Sequence, residues 1–452
     1  MPRHRPLAHA LVALACLTAT APPPASAGGH EARVSAWSEA QLPGLVALYR
    51  ELHARPELSF EEHATAARVA GALRDAGFEV TTEIGRTGVV GLLRNGPGPT
   101  VMIRGDMDAL PVSEATGLDY ASAVRVTRED GSQVGVMHAC GHDLHTANLV
   151  GTARLLADQR EHWSGTLLTV AQPAEEIGQG AHAMLGEGLF ERFPAPDFTL
   201  ALHVESSLAA GEIGLTPGWA MANVDAVDVV IHGRGGHGAR PQSASDPIVT
   251  AAYFVTALQT LVSRRVDPRE PAVVTVGSFH AGHKHNVIPD EARLQLTVRS
   301  YTDAVRAELL EGIRRTARET CAIWECPREP EIAVRDLYTP AVYNDPALAA
   351  RAAKVFEDAF GAERVRAHPP SMGGEDFGRY GRALGVPSLL FRVGVQDPAR
   401  VAEARAGGAP PPSIHSSRFA PVPEPSLRTA LEALALLALD LFASPEDPGG
   451  ER

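Results

Sequence analysis

Five places in the sequence hold side chains that can bind divalent metals or move protons. They are the pairs Asp106 and Asp108, Cys140 and His142, and Glu175 and Glu176, and the single histidines His203 and His415. Imidazole, thiolate and carboxylate are all ligands of first-row divalent ions. Adjacent carboxylates at a strand end point in different directions, so one can bind a metal while the other faces a substrate. Because each group alone is more often an ordinary structural residue, the prediction of a metal site depends on their convergence.

Predicted β-strands explain why distant residues would converge. Strands are predicted over 100–104, 166–171 and 198–204. Asp106 and Asp108 follow the first strand, the two glutamates follow the second, and His203 lies near the end of the third. Ligand sites of open α/β sheets lie outside the carboxyl ends of the strands, so we expect one shared cleft.

The order of predicted elements indicates an α/β fold with an insertion. Strands alternating with helices predict a catalytic domain with a mixed, largely parallel sheet flanked by helices. Between these elements lies a βαββα pattern, with strands over 228–232, 272–279 and 292–300 and helices over 246–263 and 302–320. We therefore predict an α+β domain over 223–338, inserted between catalytic segments 37–222 and 339–443. Residues 444–452 are predicted to be a disordered tail.

Helix boundaries are predicted from residues that typically begin or end a helix. Ser38 with Gln41 forms a capping box, which predicts that the first helix begins there and runs toward His53. A second helix is predicted over 61–76, where Gly77 ends it. Further helices are predicted over 145–158 and 426–442.

Composition limits the partners of this chain. Of 452 residues, 44% are hydrophobic and 21% are charged, and the formal net charge is −13. Negative charge disfavours nucleic acid and anionic membranes as partners. The acidic balance says nothing about the substrate itself.

The first 27 residues are typical of an export signal. Arg3 and Arg5 precede an apolar run over 8–19, and Ala25-Ser26-Ala27 offers a cleavage site. We predict a periplasmic or secreted protein, and a lipid anchor at Cys16 is the less favoured reading. The remaining cysteines, Cys140, Cys321 and Cys326, are too few for a disulfide framework, and whether the last two pair stays open.

Nine short motifs follow one another along the chain. They are 104–111 (RGDMDALP), 138–143 (HACGHD), 173–176 (PAEE), 235–237 (GGH), 246–248 (DPI), 286–289 (NVIP), 297–299 (TVR), 371–377 (SMGGEDF) and 414–416 (IHS). Together they resemble a known family, the metallo-aminoacylases and carboxypeptidases, in the branch of hippurate hydrolases and indoleacetyl–amino acid hydrolases. The resemblance spans roughly residues 40–443.

This resemblance implies a pair of divalent metal ions. Cys140 would bridge them as a thiolate, and the other ligands would be His142, Glu176, His203 and His415. Asp106 stands where most of the wider family has a histidine ligand. Zinc, manganese, nickel and cobalt all remain open as the metal.

The resemblance also implies roles in catalysis. Glu175 would be the general base that activates water at the metals, and Asp108 would orient a ligand. His237 would stabilise the oxyanion, reaching across a homodimer from the inserted domain, which would serve as lid and dimerisation domain. Asn286 and Arg299 would hold the substrate carboxylate, and Glu375 would lie near the metals.

The implied activity is hydrolysis of the amide bond in N-acyl amino acids. A dipeptidase or carboxypeptidase would use the same chemistry. The residues also allow a thiol hydrolase with Cys140 as nucleophile, or a non-catalytic binding protein that keeps the fold. Departures from the family at Gly238, Gln242 and Glu205 fall outside the proposed ligands.

Overall fold

A computed structural model describes residues 27–128 and 130–443. Except for Ala27, the predicted signal segment lies outside the described residues, and so does the predicted tail 444–452. The α-helices are α1 (Ala27–Ala54), α2 (His63–Asp75), α3 (His142–Asp158), α4 (Gly180–Gly186), α5 (Leu189–Arg192), α6 (Pro247–Arg264), α7 (Asp303–Ile323), α8 (Pro346–Phe360), α9 (Gly378–Leu384), α10 (Pro398–Arg405) and α11 (Pro423–Ala443).

The strands form two principal sheets and three small pairs. In chain order they are β1 (Glu79–Ile84), β2 (Gly88–Asn95), β3 (Thr100–Asp106), β4 (Arg125–Thr127), β5 (Gln133–Gly135), β6 (Gly165–Gln172), β7 (Phe198–Ala209), β8 (Ile213–Leu215), β9 (Gly218–Met221), β10 (Asn223–His232), β11 (Gly236–His237), β12 (Ala272–Ala281), β13 (Val287–Ile288), β14 (Glu291–Ser300), β15 (Glu331–Val334), β16 (Val342–Asn344), β17 (Val365–Ala367) and β18 (Ser388–Gln396).

The larger sheet has eight strands in the order β1-β2-β6-β3-β7-β18-β8-β17. Its four central strands, β6, β3, β7 and β18, run parallel, and β2 pairs with β6 antiparallel. The predicted mixed, largely parallel sheet is therefore confirmed. Since the central strands are parallel, their carboxyl ends meet at one edge, and this geometry brings Asp106, Gln172 and His203 together.

Helices cover both faces of this sheet. Helices α1, α2, α3, α8 and α11 bury one face in a core that includes Leu149, Phe391 and Leu434. Helices α4, α5 and α9 cover the other face in a smaller core around Met184 and Tyr380. The parallel strands have near-continuous apolar runs because both of their faces are buried. None of the helices in the described ranges is long and apolar enough to cross a membrane.

The predicted start of the first helix is wrong. Helix α1 begins at Ala27, and Ser38 is a fully buried residue of its interior instead of a cap. The physical reason is a buried stripe with helical spacing that continues upstream of the capping box through Val34 to His30. Packing against this stripe outweighs the local capping signal.

The second sheet has four antiparallel strands in the order β12-β14-β10-β15. Helices α6 and α7 pack on it around a core of its own, which includes Phe254, Leu296 and Ile313. The predicted strands and helices of the insertion are present, and β15 is an additional edge strand. Cys321 and Cys326 are free thiols. The exact domain boundaries and the lid and dimerisation roles stay predictions.

Candidate active site

A cleft of about 730 Å³ opens between the carboxyl edge of the large sheet and the second sheet. From the large sheet and its loops, the cleft is lined by four predicted ligands, Cys140, Glu176, His203 and His415, together with Glu175. Arg299, on β14 of the second sheet, also lines it. The structure therefore brings most of the predicted site residues together.

Asp108 fixes the turn that carries the two glutamates. Its Oδ1 accepts a hydrogen bond from the backbone N–H of Glu175 at 3.1 Å, and its Oδ2 accepts one from Glu176 at 3.0 Å. Ser59 donates to the same Oδ2 at 2.6 Å. The preceding Ala174 has a φ of 50°, in the left-handed region. Asp108 thus holds this strained turn as a buried acceptor, and its role in orienting a metal ligand stays a prediction.

Each of two buried histidines presents one ring nitrogen to the same cluster. His142 lies with Nδ1 3.2 Å from Asp108 Oδ1. His203 lies with Nδ1 2.7 Å from the backbone oxygen of Val204, so Nδ1 carries the proton. Its Nε2 is left as an acceptor, 3.5 Å from Cys140 Sγ. Such outer contacts fix the tautomer and ring orientation of metal-binding histidines.

Unpartnered buried atoms show that this cluster fits a cation. His142 Nε2 and Glu176 Oε1 are buried without a hydrogen-bond partner among the described residues, and they lie 3.9 Å apart. Cys140 forms one ligand group with His142 and His203 and another with Glu176 and His415, each with its ligand atoms within 4.8 Å of one another. Sulfur, nitrogen and oxygen donors in such a group suit divalent first-row ions.

The pKa shifts of Cys140 and His142 also favour a bound cation. Burial and the Glu176 carboxylate raise the pKa of the Cys140 thiol well above its usual value. Burial lowers the pKa of His142, but the carboxylates of Asp106 and Asp108 outweigh it and raise that pKa well above normal. A bound cation would replace both protons, because metals bind thiolate and neutral imidazole.

The same observations weaken the thiol-hydrolase hypothesis. Cys140 and His203 are close enough to form a nucleophile–base pair. Burial, however, raises the pKa of Cys140 and lowers that of His203 well below its usual value. A thiolate–imidazolium pair is therefore disfavoured here, whereas reactive cysteines require a lowered thiol pKa.

Asp106 is fully buried and links the cluster to an arginine network. It accepts hydrogen bonds from Arg104 at 2.6 Å and from His145 Nδ1 at 2.6 Å. His145 Nε2 in turn accepts the backbone N–H of Val204. Both ring nitrogens of His145 are therefore used, which leaves it a supporting role that the sequence did not predict.

Arg104 is a second feature that the sequence did not predict. Its fully buried guanidinium donates to Glu375 at 2.7 Å and to Asp376 at 3.2 Å. The ligand atoms of Glu375, Asp376 and Glu175 lie within 4.8 Å of one another. Glu375 therefore lies beside Glu175, the proposed base, and Arg104 balances part of the negative charge.

His237 and Asn286 do not lie with the other site residues. They lie next to one another where β11 pairs with β13, and the N–H of Gly238 donates to the Asn286 oxygen. Both residues are exposed, and neither is among the residues that line the cleft of this chain in the described ranges.

Comparisons with known proteins agree with this geometry. Residues 102–410 match the model of peptidase family M20/M25/M40. The chain belongs to this family. It is 39% identical to hippurate hydrolase of Campylobacter jejuni, over 73% of this chain and 82% of that protein. It is 35% identical to thermostable carboxypeptidase 2 of Saccharolobus solfataricus, over 87% and 94% of the two chains.

A solved structure is similar over nearly the whole chain. The Bacillus subtilis YXEP protein, described as a dinuclear metal binding peptidase, superposes with a TM-score of 0.72 at 31% identity. The match covers 89% of this chain and 99% of that one. The predicted family and fold are confirmed, and the chain is a hydrolase of amide or peptide bonds.

Proposed function

We propose that this chain hydrolyses the amide bond of small N-acyl amino acids at a centre of two divalent ions. The observation that carries the proposal is the cleft itself, where Glu175 lies beside the Cys140 and Glu176 cluster and the Arg299 cation faces them from the second sheet. The similarity to hippurate hydrolase supports an N-acyl amino acid as substrate, and the similarity to thermostable carboxypeptidase 2 keeps a peptidase as the alternative.

The residues that would hold the ions are Cys140, His142, Glu176, His203 and His415. When bound, the ions would lower the pKa of water and polarise the substrate carbonyl. Zinc, manganese, nickel and cobalt all suit this donor set.

Glu175 is the proposed general base. Burial and the carboxylates of Glu375 and Glu176 raise the pKa of Glu175 well above its ordinary value. Bound cations would offset this rise, so the group could take a proton from the attacking water and return it to the leaving amine. Hydrolysis then releases a carboxylic acid and a free amino acid.

Arg299 is the proposed partner of the substrate's α-carboxylate. Its Nε donates to Thr297 Oγ1 at 3.0 Å, and no carboxylate among the described residues forms an ion pair with it. A planar guanidinium can form two parallel hydrogen bonds with a carboxylate.

His237 and Asn286 are proposed to act in the cleft of a second subunit. Their exposure on the second sheet's side supports this, because a side chain outside its own cleft can still complete a neighbour's. Light scattering should find a dimer, and His237→Ala should lower turnover by about a hundredfold, as when an oxyanion donor is removed. A fully active monomer would contradict this role.

Export is a separate proposal, which rests on residues 1–27. We expect secreted or periplasmic protein to begin near residue 28. Amino-terminal sequencing of fractionated cells tests it, and an intact leader in the cytoplasm would contradict it.

A substrate screen tests the proposed function. The purified chain would be loaded separately with each of the four metals and assayed for amine release from N-benzoylglycine, N-acetyl amino acids and dipeptides. Higher kcat/KM for the N-acyl substrates is expected, with activity lost to a chelator and restored by metal. Preference for dipeptides would favour a peptidase instead, and chelator-resistant activity would refute the metal mechanism.

A further inference from the structure

Arg392 lies in the cleft but has no part in the chemistry described so far. It is on β18, where its backbone is in register with the proposed ligand His203 on β7 and with Gly214 on β8. The residue is only 7% exposed, yet its side chain lines the cleft. A buried cation therefore lies next to the proposed metal centre.

No group in the described part of the chain neutralises this cation by direct contact. Among the described residues, no acceptor forms a hydrogen bond with the Arg392 guanidinium and no carboxylate forms an ion pair with it. Arg104, another buried arginine of this region, donates hydrogen bonds to Gln172, Asp106 and Glu375. Since an unpaired buried charge is costly, a group outside the protein is expected to pair with Arg392.

The nearby carboxylate of Glu205 already has other partners. Its carboxylate accepts the backbone N–H of Ser207 at 2.9 Å and lies 3.4 Å from His368 Nε2. Burial raises the pKa of Glu205, but these hydrogen bonds outweigh it and bring that pKa to about 2. Glu205 is thus a charged carboxylate that attracts Arg392 electrostatically but forms no ion pair with it.

We propose that Arg392 binds a second carboxylate of the substrate, in addition to the α-carboxylate held by Arg299. The preferred substrate would then be a dianion, an N-acyl amino acid whose acyl group or side chain ends in a carboxylate. This inference rests on the proposed function. Arg299 and Arg392 come from different sheets, and the cleft of about 730 Å³ can enclose a ligand that reaches both.

Two substrate pairs locate the second carboxylate. N-Succinyl-L-alanine against N-butyryl-L-alanine tests the acyl group, and N-acetyl-L-glutamate against N-acetyl-L-glutamine tests the side chain. With the metal-loaded enzyme, kcat/KM should favour the dianion by about tenfold or more in one pair. No preference for the dianion in either pair would overturn the proposal.

Variants assign the preference to the guanidinium. Arg392→Met should reduce the dianion-to-monoanion ratio of kcat/KM to about one, and Arg392→Lys should keep part of it, because lysine has charge without the planar fork. Arg335 also lines the cleft but is 65% exposed at its side chain, so Arg335→Met is the matched control and should keep the ratio. Equal loss in both methionine variants would overturn the role of Arg392.

Equilibrium binding separates this inference from the proposed function. Calorimetry with metal-loaded wild-type chain should show tighter binding of succinate than of butyrate, and Arg392→Met should lose the difference. If no N-acyl amino acid is hydrolysed, the proposed function fails while this binding still supports an anion site at Arg392. If N-acyl amino acids are hydrolysed without dianion preference, and succinate binds no better than butyrate, the inference fails alone.

Discussion

Replacing Asp108 by asparagine removes acceptors that the proposed metal centre depends on. Oδ1 of Asp108 accepts from the Glu175 N–H and contacts His142 Nδ1, while Oδ2 accepts from Ser59 and the Glu176 N–H. An asparagine amide nitrogen donates and cannot accept. In either orientation, Asp108→Asn places its N–H₂ group against the backbone N–H of Glu175 or of Glu176 and loses that hydrogen bond, while the Ser59 hydroxyl can turn and accept.

The expected cost follows from these contacts. A hydrogen bond to a charged group contributes about 1.5–3 kcal/mol, so losing one should lower the free energy of unfolding by an amount in that range. Loosening of His142 and Glu176 should also weaken metal affinity by roughly 10- to 100-fold, the usual effect of losing a partner of a metal ligand.

Two measurements test this prediction. Urea unfolding gives the stability difference, and competition with a chromophoric chelator gives the metal affinity. Asp119→Asn is the matched control, because that carboxylate is 80% exposed at its side chain and is 3.8 Å from Arg50. If Asp108→Asn binds metal as tightly as the control, the assignment of Asp108 as the residue that positions the ligands is wrong.

Further predictions concern the buried charges. Arg104→Met should lower the free energy of unfolding by about 3–5 kcal/mol, because it leaves buried carboxylates unpaired; Arg94→Met, which breaks an exposed pair, should cost under about 1 kcal/mol in the same urea assay. Equal costs would contradict this. Burial lowers the pKa of His53, but hydrogen bonds to Asp143 and Glu114 raise it to about 10. The stabilisation from His53 is thus complete below its unfolded pKa of about 6.5 and is lost as pH rises toward 10. Unfolding measured across this range should show the decrease in wild type but not in His53→Gln, and parallel curves would refute it.

The sequence predicted much of the fold because its signals are local. Strands 100–104, 166–171 and 198–204 were recognisable as apolar runs, and each is extended by a few residues in the structure. The start of α1 was missed because tertiary packing of the stripe through Val34 outweighs the capping box at Ser38. The edge strand β15 is short and half-exposed, so it has little apolar signal.

In the candidate site, too, some residues could be predicted from the sequence and others could not. Cys140 and Glu176 could be predicted from residue type and motif, and the structure places them in one cleft. The network around Arg104 could not, because its partner Glu375 is 271 residues away. Arg392 also gives no local signal, since an arginine in an apolar strand is recognisable as unpaired only when its surroundings are known.

The central claim is that Glu175 acts on water beside metals held by other residues. Glu175→Gln keeps the shape of the side chain and removes its basicity. We predict that the metal-loaded variant keeps the wild-type metal content, as measured by inductively coupled plasma mass spectrometry. Its kcat for an N-acyl amino acid should fall by about a hundredfold or more. Wild-type turnover with unchanged metal content would contradict the account.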